Sequence, residues 1–235
     1  MATKLQAITY PLTLPDTDSI QEIGVRAVNY NGLFRSPNTR QRRLQRWMGQ
    51  AWEYSVKLIP MTRAEAAPWL SFLADLQGMK GYFLMGDPLC WNPRGSATDA
   101  DGNLDPLIVS TNGLEMAGFP DVSSAEKYNY GTKITVVGWG QNKTNVLLEG
   151  DYIQIGVGLN SRIYKVLEDV SSNNALEADI YIWPSLYRLS DAPEGTEVRV
   201  VNTVGVFSLL SPEFSVEMSP PGYYDISFAC RSIGQ

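Results

Sequence analysis

The sequence predicts a mainly β protein: a β-barrel or sandwich domain with one flanking α-helix, plus a second, inserted small β domain. Three observations predict it. Runs of alternating apolar and polar residues recur towards both ends of the chain. The 12 Tyr, 7 Phe and 6 Trp favour strands, where flat side chains pack on a half-buried pleat. The 20 Gly and 14 Pro are scattered along the 235 residues, as expected for many short elements joined by turns.

The clearest strand is 52–58, with Trp52, Tyr54, Val56 and Leu58 on one face and Glu53, Ser55 and Lys57 on the other. Residues 20–29 read as a strand before it, followed by a turn signal at Asn31-Gly32. Arg35, Arg40, Arg42, Arg43 and Arg46 then make a basic loop or strand edge. One helix follows. Thr62 and Glu65 form a capping box, in which hydroxyl and carboxylate satisfy orphan N–H groups of the first turn. Ala66, Trp69, Leu70, Leu73 and Leu76 share one helical face, Pro68 lies past the first turn, and Gly78 stands at the expected C′ position. Residues 82–85 make a short strand ended by Gly86-Asp87-Pro88.

Residues 89–130 are rich in Asn, Asp, Gly, Ser and Pro and hold neither period. Strands resume at 133–137, 151–155, 162–168 and 178–182, the last after an Asn173-Asn174 turn. A closing set spans 198–201, 204–210, 214–218 and 224–230. A βαβ repeat needs several helices, so one helix among these strands favours a barrel or sandwich. The expected organisation is a domain of 1–88 with 195–235 and an inserted domain of 89–194.

The formal charge of −6 argues against a general nucleic-acid binder, yet an acidic wall suits a conduit that DNA passes without sticking. Cys90 and Cys230 read as small buried hydrophobes rather than a disulfide framework. The first ten residues hold no apolar stretch of signal-peptide length, and no window approaches a membrane span. The expected history is synthesis in the cytoplasm and incorporation into something larger.

Histidine is absent, which removes the commonest general base, the Ser-His and Cys-His pairs and most zinc sites. Carboxylate-only glycoside hydrolysis survives that test but has no signature here, and no cofactor is expected. Asp99, Asp101, Asn103 and Asp105 space oxygen ligands as a calcium loop does. Leu104 stands where the EF-hand glycine belongs and Ser110 where its bidentate glutamate belongs, so a solvated turn competes with that reading. Gly138-Trp139-Gly140 and Gly156-Val157-Gly158 lack a third glycine and read as strand ends. The arginine cluster is a solvated or internally paired edge, or a seam between protomers, where guanidinium groups grip a neighbour's carboxylates or carbonyls; DNA contact comes third, because the rest of the chain is acidic. Trp91, Trp139 and Trp183 are core or interface residues, or platforms on which sugars stack.

Three stretches together resemble siphophage virion proteins of the distal-tail or tail-tip kind. The first runs from Trp52 into Thr62-Arg63-Ala64-Glu65-Ala66-Ala67-Pro68-Trp69 and on through 73–83. The second is 147–156 with 162–169 and Ile182-Trp183-Pro184-Ser185-Leu186, and the third is the closing 221–228. The resemblance implies a strand-rich barrel with a helix on its flank and a second β domain attached. It further implies that the barrels join into a ring, commonly six-fold, linking the tail tube protein to the tip hub and adsorption apparatus. The expected protein is thus a non-enzymatic structural subunit of the virion tail, with its own copies, tube and hub as partners, DNA as passing cargo and no membrane. Its rival is a carbohydrate-binding host-recognition module using Trp139 or Trp183. A tail-associated hydrolase stands behind both.

Overall fold

The computed structural model describes residues 8–35, 37, 40–99, 101, 104, 110–111, 114–115, 121–125, 131–186, 192–219 and 222–233. The protein is mainly β, with one α-helix among the described residues. In chain order the elements are β1 (Leu12–Thr13), β2 (Ile20–Arg35), β3 (Arg42–Leu58), α1 (Arg63–Asp75), β4 (Phe83–Met85), β5 (Ser110–Thr111) and β6 (Leu114–Glu115). There follow β7 (Asp121–Ala125), β8 (Gly131–Val137), β9 (Tyr152–Ile155), β10 (Arg162–Val166), β11 (Glu177–Leu186) and β12 (Val198–Arg199). The last three are β13 (Gly205–Leu209), β14 (Ser215–Ser219) and β15 (Tyr223–Ser232).

Two sheets carry the architecture. The first runs β1-β4-β13-β15-β3-β2, with β14 also paired to β15, and it curls as a half-barrel. The second runs β12-β9-β10-β11-β8-β7 and is antiparallel throughout. The first sheet thus takes its strands from both ends of the chain and the second from the middle. Val198–Arg199 pairs with β9 and Val198 is buried in the second core, so that sheet reaches past residue 195, where the sequence reading set a border. Asp121–Ala125 is a strand inside the stretch that had shown no period.

α1 packs on the first sheet and shares its core. The Thr62 backbone N–H donates to the Glu65 carboxylate at 2.8 Å, closing that half of the capping box. The helix buries Ala66, Trp69, Phe72 and Leu73, so Phe72 takes a core place while Leu70 is only half-buried. Trp69, Phe72, Phe83, Phe207 and Phe228 form a chain of rings 5.5–6.4 Å apart, the spacing at which edge-to-face contacts add to area burial. Leu76 caps the helix and Gln77, at φ 51°, takes the left-handed C′ place expected of Gly78. Gly78 follows, also at positive φ, with the Pro212 backbone 3.3 Å from where a Cβ would stand. Both residues of the turn are therefore left-handed, and the chain reverses one residue earlier than Gly78 alone would set it.

The two cores meet at Trp52. Its ring lies 4.3 Å edge-to-face from Trp183 and 5.9 Å from Tyr152, and its indole N–H donates to the Ile163 carbonyl at 3.3 Å. Beside it, the Gln50 side chain accepts the Ser185 N–H at 2.7 Å, and the Gln154 amide oxygen accepts the Val204 N–H at 2.9 Å. A Cβ on Gly205 would stand 2.9 Å from Ile163 Cγ2, so the two sheets approach at a point only glycine permits. No described helix is long and apolar enough to cross a membrane.

Two outcomes are expected here. Trp52→Ala should lower the unfolding free energy by roughly 3–5 kcal/mol, the cost of emptying a buried tryptophan site, in urea denaturation; a loss below about 1 kcal/mol would show that the junction carries little. Asp179 is held below the ordinary carboxylate range by its bond to Lys133 at 2.7 Å and by the Thr135 hydroxyl. A depressed folded pKa contributes stability above the unfolded value of about 4 and loses it as pH falls through the lower folded value. Asp179→Asn should therefore flatten the fall of Tm in acid over that window.

Candidate assembly interface

β2 and β3 form one hairpin whose two halves differ in kind. The near half pairs Val25 with Tyr54, Ile23 with Val56 and Ala27 with Trp52, and its alternation buries Trp52, Tyr54, Val56 and Leu58. At Asn29 the register shifts. Asn29 pairs with Gln50 but Asn31 pairs with Arg46, so β3 spends two extra residues there. Gly49 sits in that bulge at φ +132°, with the Tyr30 ring 3.2 Å from where a Cβ would be. A bulge bends its strand and sharpens the local twist, so it sets the direction of everything beyond it.

Beyond the bulge the chain does not turn at Asn31-Gly32; it continues to Arg35 and returns from Arg42. The reason is register. The pairing that buries Trp52 and Tyr54 places the reversal between Arg35 and Arg42, far from the Asn-Gly pair.

This far half is an arm whose described side chains are wet. Leu33, Phe34 and Leu44 are 61%, 60% and 60% exposed. Leu33 and Leu44 are directly paired, as are Arg35 and Arg42, so two leucines and two arginines share one face. Phe34 and Arg43 occupy the other. Arg40 stands in the loop at φ 55°. Arg46 belongs to β3, and its side chain lies outside the described residues. Among the described residues no acid forms an ion pair with Arg35, Arg40, Arg42 or Arg43. Like charges directly opposite on a two-stranded ribbon repel, and an isolated hairpin is marginal in water. The arm therefore has the composition of a contact surface: apolar area with guanidinium groups around it.

The remaining sequence candidates fall elsewhere. Trp139 is 0% exposed in the second core, so no sugar can stack on it; its buried indole N–H has no partner among the described residues. Trp183 is half-buried and its ring is spent on Trp52, at the junction of the sheets. The Asp101 N–H donates to the Asp99 carboxylate at 3.0 Å, a local turn; Asn103 and Asp105 lie outside the described residues. No group of three or more Cys, Asp or Glu suited to a metal occurs among the described residues. Cys230 is buried with its sulfur 3.8 Å from Met85 Sδ, and burial raises the Cys90 thiol, so neither is a poised nucleophile.

No family model matches the chain, and no curated protein matches it. The arm is accordingly read from its own chemistry. Leu33, Phe34 and Leu44 are the residues that sequence reasoning missed; their signal is apolar side chains set among arginines, with no helix or strand face to bury them. Arg42→Glu should convert a repulsive cross-strand pair into an attractive one and raise the Tm of the monomer, an effect that shrinks between low and high salt. An unchanged Tm at low salt would mean that Arg35 and Arg42 do not face each other in solution.

Proposed function

We propose that this chain is a non-enzymatic structural subunit of a siphophage tail tip. In this reading it is a virion protein whose copies close into a six-fold ring between the tail tube protein and the tip hub. The observation that carries the reading is the arm: apolar and cationic side chains that the chain's own core never covers become buried when another subunit supplies the partner. The half-barrel sheet supplies the rigid base from which the arm projects. A net charge of −6 favours a ring whose wall repels phosphate, so that DNA passes as cargo. The burial of Trp139 removes one of the two platforms on which a glycan-binding reading depended.

The test is light scattering on the purified chain, followed by two-dimensional averaging of negatively stained particles. Closed rings are expected for the wild type. Charge reversal at Arg42 and Arg43 should leave the circular-dichroism spectrum intact and deplete rings. Only monomers at every concentration, or hydrolysis of host cell wall by the pure chain, would count against the reading.

A further inference from the structure

The acceptor for the arm is written on the opposite end of the same sheet. β14 and β15 pair Glu217 directly with Asp225, a doubly acidic cross-strand pair that mirrors Arg35 and Arg42. Neither carboxylate takes part in an ion pair among the described residues. Two residues along, on the same face, Ser215 pairs with Ser227, and both line an open groove of ≈ 420 Å³. Phe214, 37% exposed, stands in that groove with Glu213 and Glu22; Lys57 is the one cation lining it.

The two surfaces match in order as well as in charge. On the arm, the arginine pair is followed two residues inward by the Leu33–Leu44 pair. On the β14–β15 hairpin, the acidic pair is followed at the same interval by Ser215 and Ser227 at the groove, with Phe214 one residue further along. Both intervals are about 7 Å, the rise of two strand residues. Each like-charged pair is unfavourable within its own hairpin, and one relieves the other when they meet. Composition points the same way: residues 31–46 hold five arginines and no acid, which leaves the rest of the chain eleven charges negative.

The contact cannot form within one chain. Arg42 and Lys57 are fifteen residues apart on one strand, β3, and so on the order of 40 Å from each other. We propose that the arm of one copy docks on the β14–β15 hairpin and groove of a second copy, with Arg35 and Arg42 on Glu217 and Asp225, and Leu33 and Leu44 against Phe214. Such a contact is head-to-tail, and head-to-tail contacts close into rings or run on as filaments. A lipid surface is the lesser fit, because the apolar Leu33–Leu44 pair sits behind the Arg35–Arg42 pair. The inference rests on the assembly reading above and names the partner of that site.

The test is a charge swap in the full chain, with self-association measured by analytical ultracentrifugation and particles imaged by negative stain. R35E/R42E and E217K/D225K each replace one like-charged pair by another, so repulsion within the hairpin is kept and only the intermolecular match is lost. Each double variant should weaken association by about tenfold or more, and the quadruple variant should return to within about threefold of wild type. Wild-type association in E217K/D225K, or a quadruple variant as weak as R35E/R42E, would overturn the contact; rings persisting there would leave the ring reading standing. Open filaments that respond to the swap would keep the contact and remove the ring. A wild type that stays monomeric at all concentrations overturns the contact, and its capture by phosphatidylglycerol vesicles would assign the arm to lipid.

Discussion

The register of β2 against β3 is the constraint on which the rest of the molecule depends. Burying Trp52, Tyr54, Val56 and Leu58 on one face excludes a slip of one residue, which would turn all four outward, and the pairing that forms sets Tyr54 against Val25. That pairing decides where the core ends, where the bulge falls and how much ribbon is left over. The arm is thus a by-product of core packing in its length, and a matter of side-chain choice in its chemistry.

Trp52 also explains how the two sheets act as one body. A single indole is shared between the helix-covered core and the packing around Trp183 and Tyr152, and its N–H is satisfied by Ile163 of the second sheet. Gly205 and Gln154 repeat the arrangement a short way off, by close approach and by hydrogen bond. β3 thus carries the arm and, through Trp52, contacts both sheets.

The sequence made the β-rich class, the helix with its capping box and most strands of the second half legible, because each is written in local periods. It misplaced the hairpin turn, since Asn31-Gly32 is a strong local signal overruled by long-range pairing that no local window contains. Gly78 lost its place to Gln77 for a similar reason, as Pro212 packs on the glycine from a distant part of the chain. Strand 121–125 was hidden because the sequence around it is polar and holds no sustained alternation. On the candidate site, the arginines were visible as a cluster, whereas their pairing and the mirrored acids needed the register of two hairpins.

β2 closes the first sheet on its outer side, and that bears on how the protein behaves in concentrated solution. The outer edge of β2, sixteen residues long and unpaired among the described residues, is a long template for unwanted strand addition, the first step towards fibrils. Glu22 and Arg26 stand along it as charged interruptions, and two register shifts twist it out of the flat geometry that stacking requires. The same kink that aims the arm thus also guards this edge against strand addition.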